Sequence, residues 1–481
     1  MKILLVQPNC AREVGEDYLS LQYPVNLGYI AAALKEAGHE VRMLDLNVMD
    51  FGILPQIQKS FRPRLVGLTS MTSSIVNAMM IMNEVKSLDN EVITVLGGVH
   101  ASALPMRTLR EMGALDYLVF GEGERTVVEL VTCIEAGKAP VGIDGVVFRR
   151  GDQITKNQRR ELIKDINSIH FPDRSLIPMT LYEKQHVTRG FSRRETRILE
   201  IMTSRGCPND CIFCAGHLNY GRKVRFRSLE NVSREINEGI DKYGIVHVSI
   251  EDDTFTLKKE LVYKLCKYFK ERRLTWNCNA RVNTVDYNLL SAMKRSGCKK
   301  IAFGIESGNP EILKKSKKGI TVAQAVMAVR EAKRAGIRYV ECDFLIGAHV
   351  DETLEDVQDS IRLINKLRPD FLAVSIMCPY PGTEIYRLMI ERGYLAENPD
   401  WAQFSHFGNL KRYERLTHLS SDMMHELQQS IIRRYYSSPK YILSQLRQMR
   451  SLAEVKYFVR MGLSFFHHFS PKLIGPGKQP L

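Results

Sequence analysis

The chain predicts an α/β protein: an amino-terminal doubly wound sheet, a partial six-stranded (β/α)6 barrel behind it, and a helical extension at the carboxyl end. Three observations carry that expectation. Apolar strand-like runs alternate with helical segments over residues 1 to about 150 and again from 198 to 376, the pattern of parallel sheets with crossover helices. Between these stretches the periodicity fades while charged and turn residues accumulate. At 481 residues and 44% hydrophobic content, the chain can fill two or three cores. The expected divisions are a first domain at 1–150, a linker at 151–195, a barrel at 196–415 and a basic helical extension at 416–481.

In the first domain, strands are expected at 2–6, 40–44, 65–69 and 92–96, with helices at 25–37 and 75–86. Doubly wound sheets bind ligands at the carboxyl ends of their strands. That rule selects the loops Gln7-Pro8-Asn9, Thr69-Ser70-Met71-Thr72 and Gly97-Gly98-Val99-His100. No Gly-x-Gly-x-x-Gly follows the first strand, which argues against a nicotinamide cofactor. A nucleotide, a flavin or no ligand at all stays open, with His100 a loop histidine and the glycines turn formers. The next stretch, with Asn157-Gln-Arg-Arg-Glu161 and Phe171-Pro-Asp-Arg174, reads as a connector.

Barrel strands are expected at 198–202, 246–250, 275–279, 300–303, 339–346 and 371–376. Directly behind the first stands Cys207-Pro-Asn-Asp-Cys211-Ile-Phe-Cys214. Three thiolates hold a cubane and leave one iron open, whereas electron-transfer clusters use four. The alternative is a zinc knuckle of Cys207, Cys211, Cys214 and His217. Knuckles usually stand alone in short modules, and this motif opens a long α/β segment, so His217 is expected to be a loop residue near the site. The other cysteines are scattered (Cys10, Cys133, Cys266, Cys278, Cys298, Cys342, Cys378) and form no disulfide framework, which points to a reducing compartment. No run approaches 18 apolar residues, and the opening apolar run is too short for a secretory signal, so a cytoplasmic location is expected.

The CxxxCxxC spacing, with Phe213 before the last cysteine, resembles that of the radical S-adenosylmethionine (radical SAM) enzymes. The resemblance implies a [4Fe-4S] cluster on Cys207, Cys211 and Cys214, catalytic residues as well as ligands. S-adenosylmethionine would chelate the open iron and be cleaved to a 5'-deoxyadenosyl radical. The strand ends match the family's loops: Glu251-Asp-Asp-Thr-Phe-Thr256, Arg281-Val-Asn283, Gly304-Ile-Glu-Ser307 and Pro379-Tyr-Pro-Gly382. By that resemblance Arg281 approaches the carboxylate of S-adenosylmethionine and Glu306 its ribose hydroxyls, while Ser307, Pro379, Tyr380 and Gly382 belong to the loops that cradle methionine and adenine. Strand five departs, with Gly347-Ala-His-Val-Asp-Glu-Thr353 in place of a shorter Gly-x-Pro-Gly-Glu-Thr turn. His349 is expected to be a solvated loop histidine. Asp252 and Asp253 read as a helix cap or a proton relay.

Ser70-Met-Thr72 and Gly97-Gly98, with Tyr23-Pro-Val-Asn-Leu-Gly28 and Phe120-Gly-Glu-Gly-Glu124, resemble the Rossmann-like cobalamin-binding domains fused ahead of radical SAM barrels. The implied cobalamin contacts are Pro8, Asn9, Ser70, Thr72, Gly97, Gly98 and His100, whose small side chains and hydroxyls admit the nucleotide tail. No Asp-x-His-x-x-Gly occurs, so the resemblance implies base-off cobalamin without a histidine lower ligand.

Together the resemblances imply a cobalamin-dependent radical SAM enzyme, a C-methyltransferase for an unactivated carbon of a small-molecule or lipid substrate. A low-potential electron donor such as flavodoxin or ferredoxin is implied with it. One alternative is a radical oxidative cyclase of the magnesium-protoporphyrin type. Another is a non-catalytic cobalamin or iron-sulfur sensor, which would need none of Arg281, Glu306 or the Pro379–Gly382 loop.

The net charge of +14 is concentrated late: residues 431–481 hold nine Lys or Arg against Glu454 alone. Over 452–466, Val455, Phe458, Val459, Gly462, Phe465 and Phe466 share a helical face opposite Lys456 and Arg460. Such a helix packs on the barrel or lies on an anionic membrane surface; packing is the expectation. No aromatic platform for nucleic acid is evident, and no nucleic-acid partner is expected.

Overall fold

The computed structural model describes residues 1–9, 21–151, 153–186, 197–404 and 415–449, together with 455 and 459. The expected amphipathic helix at 452–466 therefore lies outside the described residues, apart from Val455 and Val459.

The first sheet contains β1 (Lys2–Gln7), β2 (Glu40–Asp45), β3 (Leu65–Thr69), β4 (Ile93–Gly97), β5 (Tyr117–Val119), β6 (Val146–Arg150) and β7 (Gln153–Lys156). Its order is β2-β1-β3-β4-β5-β6-β7, with the first five strands parallel and the last two added antiparallel. Every residue of β3 is buried, because helices cover both faces of the sheet. Helices α1 (Val25–Glu36), with Leu27, Ala31 and Leu34, and α6 (Glu124–Glu135), with Leu130 and Val131, seal Ile3 and Leu5. On the other face α2 (Ile53–Phe61) and α3 (Ile75–Leu88) seal Leu4 and Val6. Two short helices, α4 (Val99–Ala103) and α5 (Pro105–Glu111), precede β5, and α6 spans Glu124–Glu135. The sheet runs past residue 150, because β6 and β7 form a hairpin whose register continues through Arg150 and Gln153.

The expected connector is a packed strap. Ile163 and Ile166 are buried, and Ile177 and Tyr182 complete the core beneath α1 and α6. Tyr182, on α7 (Thr180–His186), donates its hydroxyl to Asp45 Oδ2 at 2.9 Å. Arg174 is buried on the barrel side, where it reaches Glu235 at 2.7 Å and the Glu200 carbonyl.

The barrel sheet holds β8 (Ile198–Ile201), β11 (His247–Ile250), β12 (Thr275–Ala280), β13 (Cys298–Glu306), β14 (Tyr339–Ile346) and β15 (Phe371–Ile376), six strands, all parallel, in the order β15-β14-β13-β12-β11-β8. A two-residue ribbon, β9 (Ser204–Arg205) with β10 (Arg225–Phe226), flanks the cysteine loop, and α8 (His217–Tyr220) follows that loop. The outer helices are α9 (Leu229–Tyr243), α10 (Lys259–Glu271), α11 (Tyr287–Arg295), α12 (Pro310–Lys315), α13 (Val322–Arg334), α14 (Leu354–Leu367) and α15 (Glu384–Glu391). Their starts are written in the sequence: Ser228, Asp286, Thr321 and Thr353 each accept a backbone N–H of the first turn. Thr321 and Thr353 form reciprocal capping boxes with Gln324 and Asp356.

The extension is helical, as expected from residue 420, with α16 (Ser421–Tyr436) and α17 (Pro439–Gln448). Helix α16 covers the edge strand β15, where Tyr436 donates to the Leu372 carbonyl at 3.0 Å. One continuous hydrophobic core runs from Leu4 and Val6 in the first sheet to the barrel residues. No helix among the described residues is long and apolar enough to cross a membrane.

Candidate active site at the domain junction

The cysteine loop is fastened before any ligand is considered. Ile212 donates its N–H to the Ser316 carbonyl at 3.1 Å, and its own carbonyl accepts from Ile385 N at 3.0 Å. Asp252 is buried and accepts from Thr203 N, Thr203 Oγ1 and Ser204 Oγ, each at 2.6 Å. It caps no helix and holds the strand-to-loop turn. Asp253 lies near Gly216 and Cys214, and burial pushes its carboxyl up. His217 opens α8 with Nδ1 against the Cys214 carbonyl at 3.1 Å.

The sulfurs face donors. Asn209 Nδ2 lies 3.2 Å from Cys207 Sγ, Gly216 N 3.5 Å from Cys214 Sγ, and Arg281 Nη1 3.8 Å from Cys211 Sγ. Burial raises the Cys214 thiol while the Gly216 N–H opposes that shift. Donors aimed at sulfur favour the thiolate form that a cluster requires. The residues present fit a [4Fe-4S] cluster.

Around this loop the strand ends converge. Arg281 is buried, its second amino group donating to the Lys318 carbonyl. Glu306 pairs with Lys318 at 2.7 Å and has φ of +70°, in the left-handed region where a glutamate is strained. Such strain persists where surrounding contacts overdetermine it, as at functional sites. Gly304 makes room for the pair, since a Cβ there would lie 2.7 Å from Glu306 Oε1. Ser307 is not brought into this set: it is buried against Ser360 of α14 and accepts from Asn309 N at 3.1 Å. Gly382 has φ of +80°, and a Cβ there would lie 3.0 Å from Leu218 behind the cysteine loop and 3.4 Å from Ala103 of α4. Pro379 is buried and Tyr380 half-buried, with the Tyr380 carbonyl accepting from Thr383 Oγ1 at 2.6 Å.

Sequence reasoning passed over the charges deeper in the barrel. Lys300 pairs with Glu341 at 2.7 Å and Lys318 with Glu306, which leaves Asp343 as the odd carboxyl among them. Its Oδ1 is shut off from solvent without a hydrogen bond, and burial, with Glu341 and Glu306 close by, holds its carboxyl well above the usual range. The signal was present as acids at alternate positions of a strand, Glu341 and Asp343, which share one face.

The strand-five loop also resolves differently. His349 is half-buried, not solvated, and its Nδ1 accepts from Asp351 N at 3.1 Å. Glu352 turns inward to accept the Gly347 N–H, and burial pushes its carboxyl up to about 8. An unfolded glutamate titrates near 4.3. The folded chain thus keeps a proton that the unfolded chain loses, and stability falls as pH rises from about 4.3 to 8. Glu352→Gln removes this dependence. Its melting temperature relative to the parent is expected to climb across that window and level off above it.

In the first domain, Ser70, Thr72, Gly97 and His100 form one bonded group. His100 N donates to the Ser70 carbonyl at 3.2 Å, Ser70 N donates to the Gly97 carbonyl at 3.0 Å, and His100 Nδ1 meets Thr72 Oγ1 at 3.0 Å. Gly98 has φ of +99°, and a Cβ there would lie 2.6 Å from the Ser70 carbonyl oxygen. A cavity beside these glycines is lined by Leu5, Asn26, Gly67, Gly97, Gly98 and Val119 among others. Ser70 follows Thr69 of that lining, and its Oγ is buried and lacks a hydrogen-bond partner. Pro8 and Asn9 follow β1 on the other side of β3, where Asn9 accepts from Asn77. The crevice between β1 and β3 is the point where strand order reverses, the usual ligand site of such sheets. The glycine cradle and apolar lining fit a cobalamin nucleotide tail. His100 itself is buried, its ring edge-on to Trp401 at 4.9 Å, and burial pushes it down to about 3.

Gly98→Ala is expected to fold poorly and to lose cobalamin on desalting. Gly97→Ala, whose Cβ would meet Val119 O at 3.7 Å, is expected to fold normally. Absorbance of retained cobalamin with a thermal melt checks both.

The glutamates of Phe120-Gly-Glu-Gly-Glu124 reach across to the barrel. Glu122 accepts from Arg225 Nη1 at 2.8 Å and Arg205 Nη1 at 3.1 Å, and Glu124 accepts from Arg205 Nη2 at 2.6 Å. Ile163 N from the strap completes Glu122 at 2.8 Å. The Arg205 guanidinium lies between the Tyr29 and Tyr220 rings at 4.8 and 5.0 Å. Arg205 and Arg225 are register partners of the ribbon that leads into Cys207.

A parallel barrel with a three-cysteine loop at its mouth, locked to a doubly wound domain with a glycine-lined crevice, defines a radical SAM protein with a cobalamin-type partner domain. The Radical SAM superfamily profile matches residues 201–364 and the B12 binding domain profile residues 14–131. An uncharacterized methyltransferase of Pyrococcus horikoshii is 32% identical over 470 residues, covering 95% of this chain and 99% of its own. The cytidylyl-2-hydroxyethylphosphonate methyltransferase of Streptomyces wedmorensis is 26% identical, covering 82% of each. The anaerobic magnesium-protoporphyrin IX monomethyl ester cyclase of Cereibacter sphaeroides is 27% identical, covering 80% of this chain and 63% of its own. Among solved structures, the methyltransferase TsrM of Kitasatospora setae with cobalamin and [4Fe-4S] cluster superposes with TM-score 0.67 at 21% identity, covering 81% and 75% of the two chains. The cobalamin-dependent radical enzyme OxsB superposes with TM-score 0.71 at 17% identity, covering 97% and 71%. The chain belongs to the cobalamin-binding radical SAM enzyme family of methyltransferases and magnesium-protoporphyrin cyclases. The cofactors of this family are a [4Fe-4S] cluster, S-adenosylmethionine and cobalamin.

Proposed function

We propose that this enzyme methylates an unactivated carbon of a small-molecule or lipid substrate admitted at the barrel mouth. The observation that carries the reading is the meeting of the two candidate sites at one junction, where α4 packs on α8 and a Cβ at Gly382 would meet both Leu218 behind the cysteines and Ala103 behind His100. When bound, the three cofactors supply reductive cleavage of a sulfonium and delivery of a methyl group to carbon. The chain's own part is positioning. Cys207, Cys211 and Cys214 hold the cluster, Arg281 beside Cys211 orients the carboxylate of S-adenosylmethionine, and Glu306 receives its ribose hydroxyls. The loop at Pro379, Tyr380 and Gly382 closes against water, and Ser307 fixes the turn after Glu306 by its bonds to Asn309 and Ser360. Ser70, Thr72, Gly97 and Gly98 admit the nucleotide tail, Pro8 and Asn9 border the crevice, and His100 supports Thr72 without ligating. Lys300, Glu341 and Asp343 favour a substrate with a polar group that reaches into the barrel. A low-potential donor such as flavodoxin or ferredoxin would reduce the cluster.

The methyltransferase relatives above match this chain over 99% and 82% of their length and the cyclase over 63% of its own, which favours methylation. The test is anaerobic reconstitution with iron, sulfide and cobalamin, followed by S-adenosylmethionine and a low-potential reductant. Both 5'-deoxyadenosine and S-adenosylhomocysteine are expected. Deoxyadenosine alone would replace methylation with cyclase chemistry, and neither product from cluster-loaded protein would overturn the enzymatic reading.

A further inference from the structure

A groove distant from both cofactor sites runs between α14 and α16, with α17 along its rim. Six of its twenty lining residues are cationic (Lys333, Arg362, Arg368, Arg434, Lys440 and Arg447) and none is Asp or Glu. Lys333 donates to the Leu367 and Arg368 carbonyls, and Arg362 pairs with Asp359 outside the groove. Arg434, Lys440 and Arg447 have no acidic partner among the described residues. Beside these cations α17 presents Ile442, Leu443 and Leu446, exposed by 44, 54 and 53%. At i, i+1 and i+4 they form one apolar face, flanked by Lys440 and Arg447.

Cations framing exposed leucines on a short surface helix are the composition of an interfacial helix, whose apolar side chains enter the headgroup boundary while its charges meet lipid phosphate. We propose that α17 and this groove dock on an anionic phospholipid surface. The sequence from 450 onward carries Arg450, Lys456, Arg460, Lys472 and Lys478 against Glu454 alone, a charge that matches the groove in sign and does not complement it. The aromatic rings are engaged elsewhere: Tyr435 and Tyr441 pack together at 5.3 Å, and their hydroxyls donate to the Pro369 and Asp370 carbonyls. Those carbonyls lead into the amino end of β15, whereas the cysteine loop lies at the carboxyl ends of the strands. Docked this way, the enzyme turns its mouth away from the lipid. The proposal does not depend on the methyltransferase reading.

Flotation of the reconstituted full chain with phosphatidylcholine vesicles, with and without phosphatidylglycerol, tests it. Partitioning is expected only onto the anionic vesicles and weakens with salt. Arg434→Gln/Lys440→Gln/Arg447→Gln is expected to lower it by about a hundredfold, roughly fivefold per charge. Leu443→Ser/Leu446→Ser is expected to lower it at least tenfold, with 5'-deoxyadenosine formation unchanged in both variants. Equal partitioning of the triple variant, equal binding to neutral vesicles, or loss of binding only in Lys456→Gln/Arg460→Gln would overturn the proposal. So would displacement from vesicles by inorganic phosphate but not by chloride at equal ionic strength, which would mark a site for free phosphate.

Discussion

Glu122→Ala destabilises the folded chain by about 3–5 kcal/mol, a large share of the stability of an ordinary domain. The carboxylate is buried and serves Arg205, Arg225 and Ile163 N together. Removing it leaves the buried Arg225 guanidinium without a carboxylate and Arg205 with Glu124 alone, and the cost of a buried unpaired charge exceeds what the pair contributes to folding. Urea denaturation gives the magnitude. Glu122→Gln keeps an acceptor and should lose less. Glu122→Leu/Arg225→Met, which removes a charge from each side, should recover part of the loss because Arg205 keeps Glu124. A loss below about 1 kcal/mol would mean that the arginines escape to water and that the junction is held by apolar contact alone.

Cys211→Ala abolishes 5'-deoxyadenosine formation, and Cys207→Ala and Cys214→Ala do the same. Each sulfur is one of three, so no fourth cysteine of the loop can substitute, and a cluster with two ligands does not persist. The readouts are iron per chain, the visible absorbance of the cluster and the nucleoside yield, all of which fall to background. Cys133→Ser is the control, since Cys133 lies on α6 and its thiol donates to the Lys138 carbonyl at 3.3 Å, remote from the loop. Retention of full iron in Cys211→Ala would show that another group completes the cluster. His217, bonded to the Cys214 carbonyl, would be the first to examine.

Most of the fold was legible because both parallel sheets bury their strands, which then read as apolar runs. Strands 339–346 and 371–376 were readable to the residue, since Pro, Gly and charge bound them. β5 was not, because three residues give no periodicity. The connector gave no sign of its packing: the run from Leu176 to Tyr182 is apolar but has no strand or helix period, and the Asp45 partner of Tyr182 lies 137 positions away. The cysteine loop could be read from local spacing, but its surroundings could not. Lys318, which ties Arg281 to Glu306, belongs to no strand end, and Asp252 looked like a cap because nothing local reveals a bond to Thr203. Glu122 and Glu124 were read as part of a cobalamin signature, whereas their partners sit in the barrel 81 and 103 positions on.

That last pairing bears on how the two halves can be recombined. A chimaera taking its first domain from a relative would carry over the crevice but would keep the barrel arginines, which need carboxylates at positions 122 and 124 to sit dry. A donor lacking them would leave each half intact and the seam between them hydrated and out of register. The unit of exchange is therefore the crevice loops alone, grafted into this chain's own frame.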